Sequence, residues 1–278
     1  MERQFAPIFG TISRNFTTST VSEYWPLDSN VALMGDFVLR RKISTTSTAA
    51  GVLFSGGTYL VAQKDPTINT LIDLNHLLNN SINKKESTTK FGAKATLQEV
   101  INYHKDKEDW NISQCAKWSC PSKNIRNQRT LGGEIAQQRV ESELYAYLCA
   151  VNVSLSLFTT DSHVIKIRDW NGRGIITEIE FDAESIDKIS VKRFALIPSS
   201  PAFVITAGVR RGNNIDLTVG GRASQSGFFS VSVDEFTDEF ITYISATAVK
   251  QFYTDHYGSI PYKQGLIQTG LKRVRSEL

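Results

Sequence analysis

The stretch from Val151 to Phe181 constrains the fold more than any other part of the chain. Val151, Val153, Leu155 and Leu157 alternate with Asn152, Ser154 and Ser156. Ile165 and Ile167 alternate with Lys166 and Arg168, and Thr177, Ile179 and Phe181 with Glu178 and Glu180. A period of two with one apolar face is the pattern of strands covered on one side only. Asp169-Trp170-Asn171-Gly172-Arg173-Gly174, with Asn-Gly inside, predicts a hairpin turn joining two of these strands.

Further strands are expected in Ala32–Ile43 and from Ala202, Ile215 and Phe229. Gly51–Gln63 reads as two short strands broken at Ser55-Gly56-Gly57, a turn signal. Leu71, Leu74, Leu77 and Leu78 predict a short helix, and a second is expected at 96–104. Phe5, Ile8, Phe9, Ile12 and Phe16 give the N-terminal segment an amphipathic helical stripe. From Glu235 the period changes again: Phe236, Phe240, Tyr243, Ile244, Thr247, Ala248 and Phe252 share one helical face. The expected fold class is α+β, a twisted, mainly antiparallel sheet with peripheral helices and a short helical C-terminal appendix. The expected division is a domain over 1–234 and a tail over 235–278.

Composition bounds the function classes. The 31 Lys and Arg against 28 Asp and Glu give a net charge of +3, too balanced for a dedicated nucleic-acid coat. The balance is uneven, however, because residues 83–130 hold ten basic and five acidic side chains. The longest apolar run, Tyr145–Val151, is too short to span a bilayer as a helix. Three cysteines, Cys115, Cys120 and Cys149, fit a reducing compartment, so the cytoplasm is expected.

No G-x-S-x-G, P-loop, H-E-x-x-H or G-x-G-x-x-G signature is present. His104, Cys115 and Cys120 lack a second ligand pair at zinc spacing, so free thiols are the simpler reading. Asp28, Asp36 and Asp65 fall where turns use carboxylates, and Glu178 and Glu180 fit a solvated strand face. Neither a catalytic residue, a metal site nor a cofactor is expected, and the chain reads as a non-enzyme. Tyr103, Trp110 and Trp118 lie among basic residues, but no recognition motif for nucleic acid accompanies them.

W-P-L-D-S (25–29), the strand ending F-V-L-R-R-K (37–42) and S-P-A-F-V-I-T-A-G-V-R-R-G (200–212) resemble segments of gasdermin pore-forming domains, in particular the fungal gasdermin-like proteins of regulated cell death and heterokaryon incompatibility. The resemblance implies a pore-forming effector held inactive by its C-terminal segment. It implies release by a subtilisin-like protease, binding to acidic phospholipid, self-assembly and membrane permeabilisation. Arg3, Arg14, Arg40, Arg41 and Lys42 would meet lipid headgroups, Phe236 and Phe240 would mark the cleavage region, and Phe236, Phe240, Tyr243, Ile244 and Phe252 would make the autoinhibitory contacts. The inactive form would be cytoplasmic and the active form membrane-bound. The competing readings are a structural assembly protein, such as a viral coat or matrix subunit, and an enzyme of another family.

Overall fold

A computed structural model describes residues 51–104, 111–159, 162–184 and 186–278. The expected N-terminal helix, the strand at 32–43 and the five proposed headgroup contacts lie outside these residues.

Three sheets organise the described chain. β1 (Val52–Phe54) pairs in parallel with β2 (Leu71–Asp73). Between them lies α1 (Thr58–Gln63), where the sequence predicts a second strand. The helix expected from Leu71 is not formed. Leu71 and Ile72 pair with β1, while Leu74, Leu77 and Leu78 close a single turn through bonds to the Leu74 carbonyl.

The second sheet is antiparallel, with β3 (Ile82–Lys85), β4 (Thr88–Gly92), β5 (Ser154–Phe158), β6 (Ser162–Lys166) and β7 (Ile175–Asp182). Their order is β3-β4-β7-β5-β6. The alternation of 153–158 and 175–182 is therefore real, with Leu155, Leu157, Ile179 and Phe181 buried. The hairpin expected at Asp169–Gly174 is not one, because β5 sits between β6 and β7. Residues 167–169 form a 3₁₀ turn instead.

Five helices separate β4 from β5: α2 (Leu97–Tyr103), α3 (Ile112–Ser119), α4 (Lys123–Arg126), α5 (Leu131–Ala136) and α6 (Glu143–Val151). α2 carries a reciprocal capping box in which the Thr96 side chain accepts from the Glu99 N–H and Glu99 accepts from the Thr96 N–H. Every residue of α6 is buried, so it is a central element and not a peripheral one.

The third sheet is antiparallel in the order β11-β10-β9-β8. Its strands are β8 (Lys188–Phe194), β9 (Val204–Arg211), β10 (Asn214–Gly221) and β11 (Gly227–Ser232). Ile205, Ala207 and Val209 face the core built on α6, whereas Val204, Leu217 and Val219 belong to the core on the other side. β9 is thus covered on both faces, which explains its unbroken apolar run. α7 (Asp238–Ala248) and α8 (Ile260–Glu277) belong to that second core.

α8 approaches β9 closely at Gly208. A Cβ there would lie 2.6 Å from Val274 Cγ1 and 2.9 Å from Leu278 Cδ1. Gly208→Val is expected to destabilise the protein by about 1–3 kcal/mol through overpacking, read as a lower urea midpoint.

Candidate functional site

A cleft of about 570 Å³ is lined by Gly56 and Gly57 on one side and by Gly133 on another. Val52–Leu60 forms one wall, Arg129, Thr130, Gly133, Ala136 and Gln137 another, and Gly172 and Gly174 complete the lining together with Gln63. The volume is that of a site for a substantial small molecule.

The first wall is a strand–loop–helix turn. β1 ends at Phe54, and Ser55-Gly56-Gly57 turns the chain into α1. Ser55 Oγ donates to Asn75 Oδ1 at 3.1 Å, and Asn75 Nδ2 donates back to the Ser55 carbonyl at 3.3 Å. Gly56 fits because its backbone touches the opposite wall, where a Cβ would stand 2.0 Å from the Gln128 carbonyl oxygen. Gly57 has φ +67°, the left-handed region that glycine adopts without strain. As N-cap of α1 it brings no side-chain cap, so the first-turn N–H groups lack an intrahelical partner.

The second wall spends its donors on the fold. Leu131 N–H donates to the Ala95 carbonyl at 2.8 Å and Gly132 N–H to the Ala93 carbonyl at 2.9 Å. Gly133 N–H donates to Thr130 Oγ1 at 3.1 Å. These bonds fix the start of α5 as a rigid support. The third wall is held by Trp170, whose Nε1 donates to the Arg173 carbonyl at 2.7 Å.

Among the described lining residues, Arg129 is the single cationic side chain. Its Nη1 lies 3.4 Å from Oε2 of Glu134, which is fully buried on α5. The described lining contains no Cys, His, Asp, Glu or Lys, and its hydroxyl side chains are Ser55, Thr58, Tyr59 and Thr130. What it offers is backbone donors, glycine surface, apolar side chains and one guanidinium. The Arg129 guanidinium and the backbone N–H groups at the start of α1 make part of this lining electropositive.

The sequence-predicted site residues do not converge here. Phe236, Ile244 and Phe252 are buried in the second core; Phe240 packs against it, and Tyr243 is largely exposed. Cys115, Cys120 and Cys149 are buried free thiols, and no group of three or more metal-ligating side chains occurs among the described residues. Lys90 is held at 3.1 and 3.0 Å by Glu178 and Glu180. The basic 83–130 segment forms strands and helices over most of its described length and supplies Arg129 and Thr130 to one cleft wall.

The profile of the family described as "FAD binding domain in molybdopterin dehydrogenase" matches residues 42–179, which include Gly56, Gly57 and Gly133. No curated protein matches the chain. Among solved structures, a carbon monoxide dehydrogenase from Hydrogenophaga pseudoflava, lacking the Mo-pyranopterin moiety of its molybdenum cofactor, is similar at a TM-score of 0.66 and 17% identity, covering 88% of this chain and 93% of that one. Quinoline 2-oxidoreductase from Pseudomonas putida 86 matches at 0.66 and 13% identity, over 87% of this chain and 93% of that one. A reconstituted CO dehydrogenase from Oligotropha carboxidovorans matches at 0.61 and 14%, over 81% and 90%.

These findings overturn the gasdermin resemblance and the pore-forming function it implied. The α+β class stands, but the fold is that of the dehydrogenase structures. A pore-forming effector, its phospholipid and protease partners and the non-enzyme reading are all displaced by a match to a cofactor-binding redox domain. The match at 200–212 has a structural explanation. It falls on buried β9, whose Arg210 donates to the Leu278 carbonyl and whose Arg211 donates to Asp216 and the Val151 carbonyl. No described helix is long and apolar enough to cross a membrane.

Proposed function

We propose that this chain is a FAD-binding component of an oxidoreductase of the molybdopterin dehydrogenase type. The observation that carries the reading is the cleft itself: Gly56 and Gly57 on one wall and Gly133 on another line a site inside the region that matches the FAD-binding profile. The residues fit the cofactor. Gly56 leaves no room for a Cβ against the Gln128 backbone, Gly57 turns the chain with φ +67°, and the first turn of α1 beyond them has backbone N–H groups for an anionic portion of the ligand. The cofactor, when bound, supplies the redox chemistry, taking electrons from one partner and passing them to another.

The chain's own contribution is to bind and to orient. Ser55–Tyr59 would hold the phosphate-bearing part against the wall that Thr130 and Gly133 support, and Val52, Leu53 and Leu60 would exclude water from the apolar part. The electron donor is, on this reading, a molybdopterin-bearing protein. Three reduced, buried thiols support a reducing compartment such as the cytoplasm.

The test is direct. Purified protein mixed with FAD and desalted is expected to retain one flavin per chain, with the flavin visible absorption bands and quenched fluorescence. Protein that retains no flavin, and does not quench it in titration, would sink the proposal.

A further inference from the structure

Two residues that line the cleft carry unmet polar demand. Arg129 Nε and Gln137 Oε1, buried atoms on them, have no hydrogen-bond partner. Beside Arg129, Glu134 is fully buried. Its Oε1 accepts from Ser142 Oγ at 2.6 Å, while Oε2 makes no hydrogen bond and meets Arg129 only at 3.4 Å. A guanidinium has five N–H donors. Among the described residues, its contacts with other side chains come to one long ion pair, at a cleft wall whose backbone donors are already taken up by the fold. Native proteins rarely leave buried donors and acceptors unmatched, and functional sites are where the exceptions gather.

We propose that Arg129 is the cation that contacts the phosphoanhydride of the bound dinucleotide, with Glu134 behind it fixing the guanidinium. This rests on the flavin-dinucleotide reading and deepens it. The recognised chemistry is a pyrophosphate, so the contact discriminates FAD from riboflavin, which has no phosphate. Glu134 has a second consequence. A buried carboxylate near the cleft would repel that pyrophosphate, and Arg129 cancels the repulsion. Two roles, contact and neutralisation, therefore fall on one side chain, and Glu134→Gln separates them.

The experiment measures FAD and riboflavin affinity by fluorescence quenching, and inorganic pyrophosphate binding by thermal shift. It compares the unmodified chain, Arg129→Lys, Arg129→Ala and Arg129→Ala/Glu134→Gln, each checked for folding by circular dichroism. The double variant leaves no unpaired buried carboxylate, so it covers the case in which Arg129→Ala fails to fold. Arg129→Ala/Glu134→Gln is expected to bind FAD about ten- to a hundredfold more weakly, as loss of a charged hydrogen bond does. Its riboflavin affinity should change less than threefold and its pyrophosphate stabilisation should disappear. Arg129→Lys should retain part of both.

FAD affinity in the double variant equal to that of the unmodified chain would show neutralisation alone and overturn the contact. Equal weakening toward FAD and riboflavin would also overturn it. Pyrophosphate binding that depends on Arg129 in a chain that binds no FAD would keep the anion contact and overturn the flavin reading. Binding of neither FAD nor pyrophosphate by the unmodified chain would overturn both.

Discussion

Replacing Gly56 with alanine is expected to cost the protein its flavin, lowering FAD affinity at least about a hundredfold, roughly 2.7 kcal/mol. The added Cβ would stand 2.0 Å from the Gln128 carbonyl oxygen and 3.0 Å from its carbon. Both atoms are backbone, so no rotamer change relieves the clash. The two walls must separate, and Gln128 directly precedes the loop that carries Arg129, Thr130 and Gly132-Gly133. The variant therefore distorts both halves of the cradle at once. Gly265→Ala is the control. It lies on α8, where a Cβ meets nothing within 4 Å, and alanine in a helix interior is favoured over glycine by about 1 kcal/mol. FAD titration and urea unfolding of both variants distinguish a local effect on the cleft from a general one. Gly56→Ala protein that binds FAD as tightly as the unmodified chain would remove these walls from the binding site.

Half of this site is visible in the sequence, under a different meaning. Ser55-Gly56-Gly57 reads as a turn between two strands because Thr58–Gln63 contains Tyr59, Leu60 and Val61, which suit a strand as well as a helix. α1 buries none of its residues, so no apolar face marks it as helical. Thr130-Leu131-Gly132-Gly133 carries a Thr N-cap but adjoins a basic, polar stretch with little apolar periodicity to mark its elements. What joins the two loops is contact across more than 70 positions, which no local pattern contains. A pair of Gly-Gly steps, each placed at a helix start, is the available signal.

The strand pattern is more legible where one face of a sheet is covered. Leu155 and Leu157 alternate with serines because β5 is buried on one side. β9 is covered on both sides and α6 all round, and there periodicity carries little information. The basic residues mislead for a related reason. Arg168 and Arg211 look like free surface charge in the sequence, yet both converge on Asp216, at 3.2 and 3.0 Å, and tie β10 to the elements around α6. A guanidinium that meets a distant carboxylate and backbone carbonyls cannot be told from a lipid-facing one by composition.

Asp255→Ala is expected to be the most destabilising change outside the cleft, at about 3–5 kcal/mol, because it leaves a buried ammonium unpaired. Lys263 on α8 is fully buried. Its Nζ donates to Asp255 Oδ1 at 2.8 Å and to the Tyr253 carbonyl at 2.6 Å. Asp255 Oδ2 also accepts from Arg222 Nε at 2.8 Å, and Arg222 reaches Glu141 at 3.0 Å. This chain of charges links α8 to the segment before α6. Burial pushes the Asp255 carboxyl up, but its bonds to Lys263 and Arg222 outweigh that and hold it below the usual carboxylate range. Glu277, at the far end of α8, is likewise held down by Lys192 and Ser190 on β8. A carboxyl depressed in the folded state stabilises it above the unfolded pKa, and the contribution is lost as pH falls through the folded value. Unfolding free energy should therefore drop below about pH 4 as these carboxylates protonate. Asp255→Asn removes the ionisation while keeping an acceptor, so its deficit relative to the unmodified chain should be full at pH 7 and should shrink as pH falls through the folded pKa of Asp255. Urea unfolding across that range reads the difference, and a deficit independent of pH would show that the carboxylate's charge does not hold α8 in place.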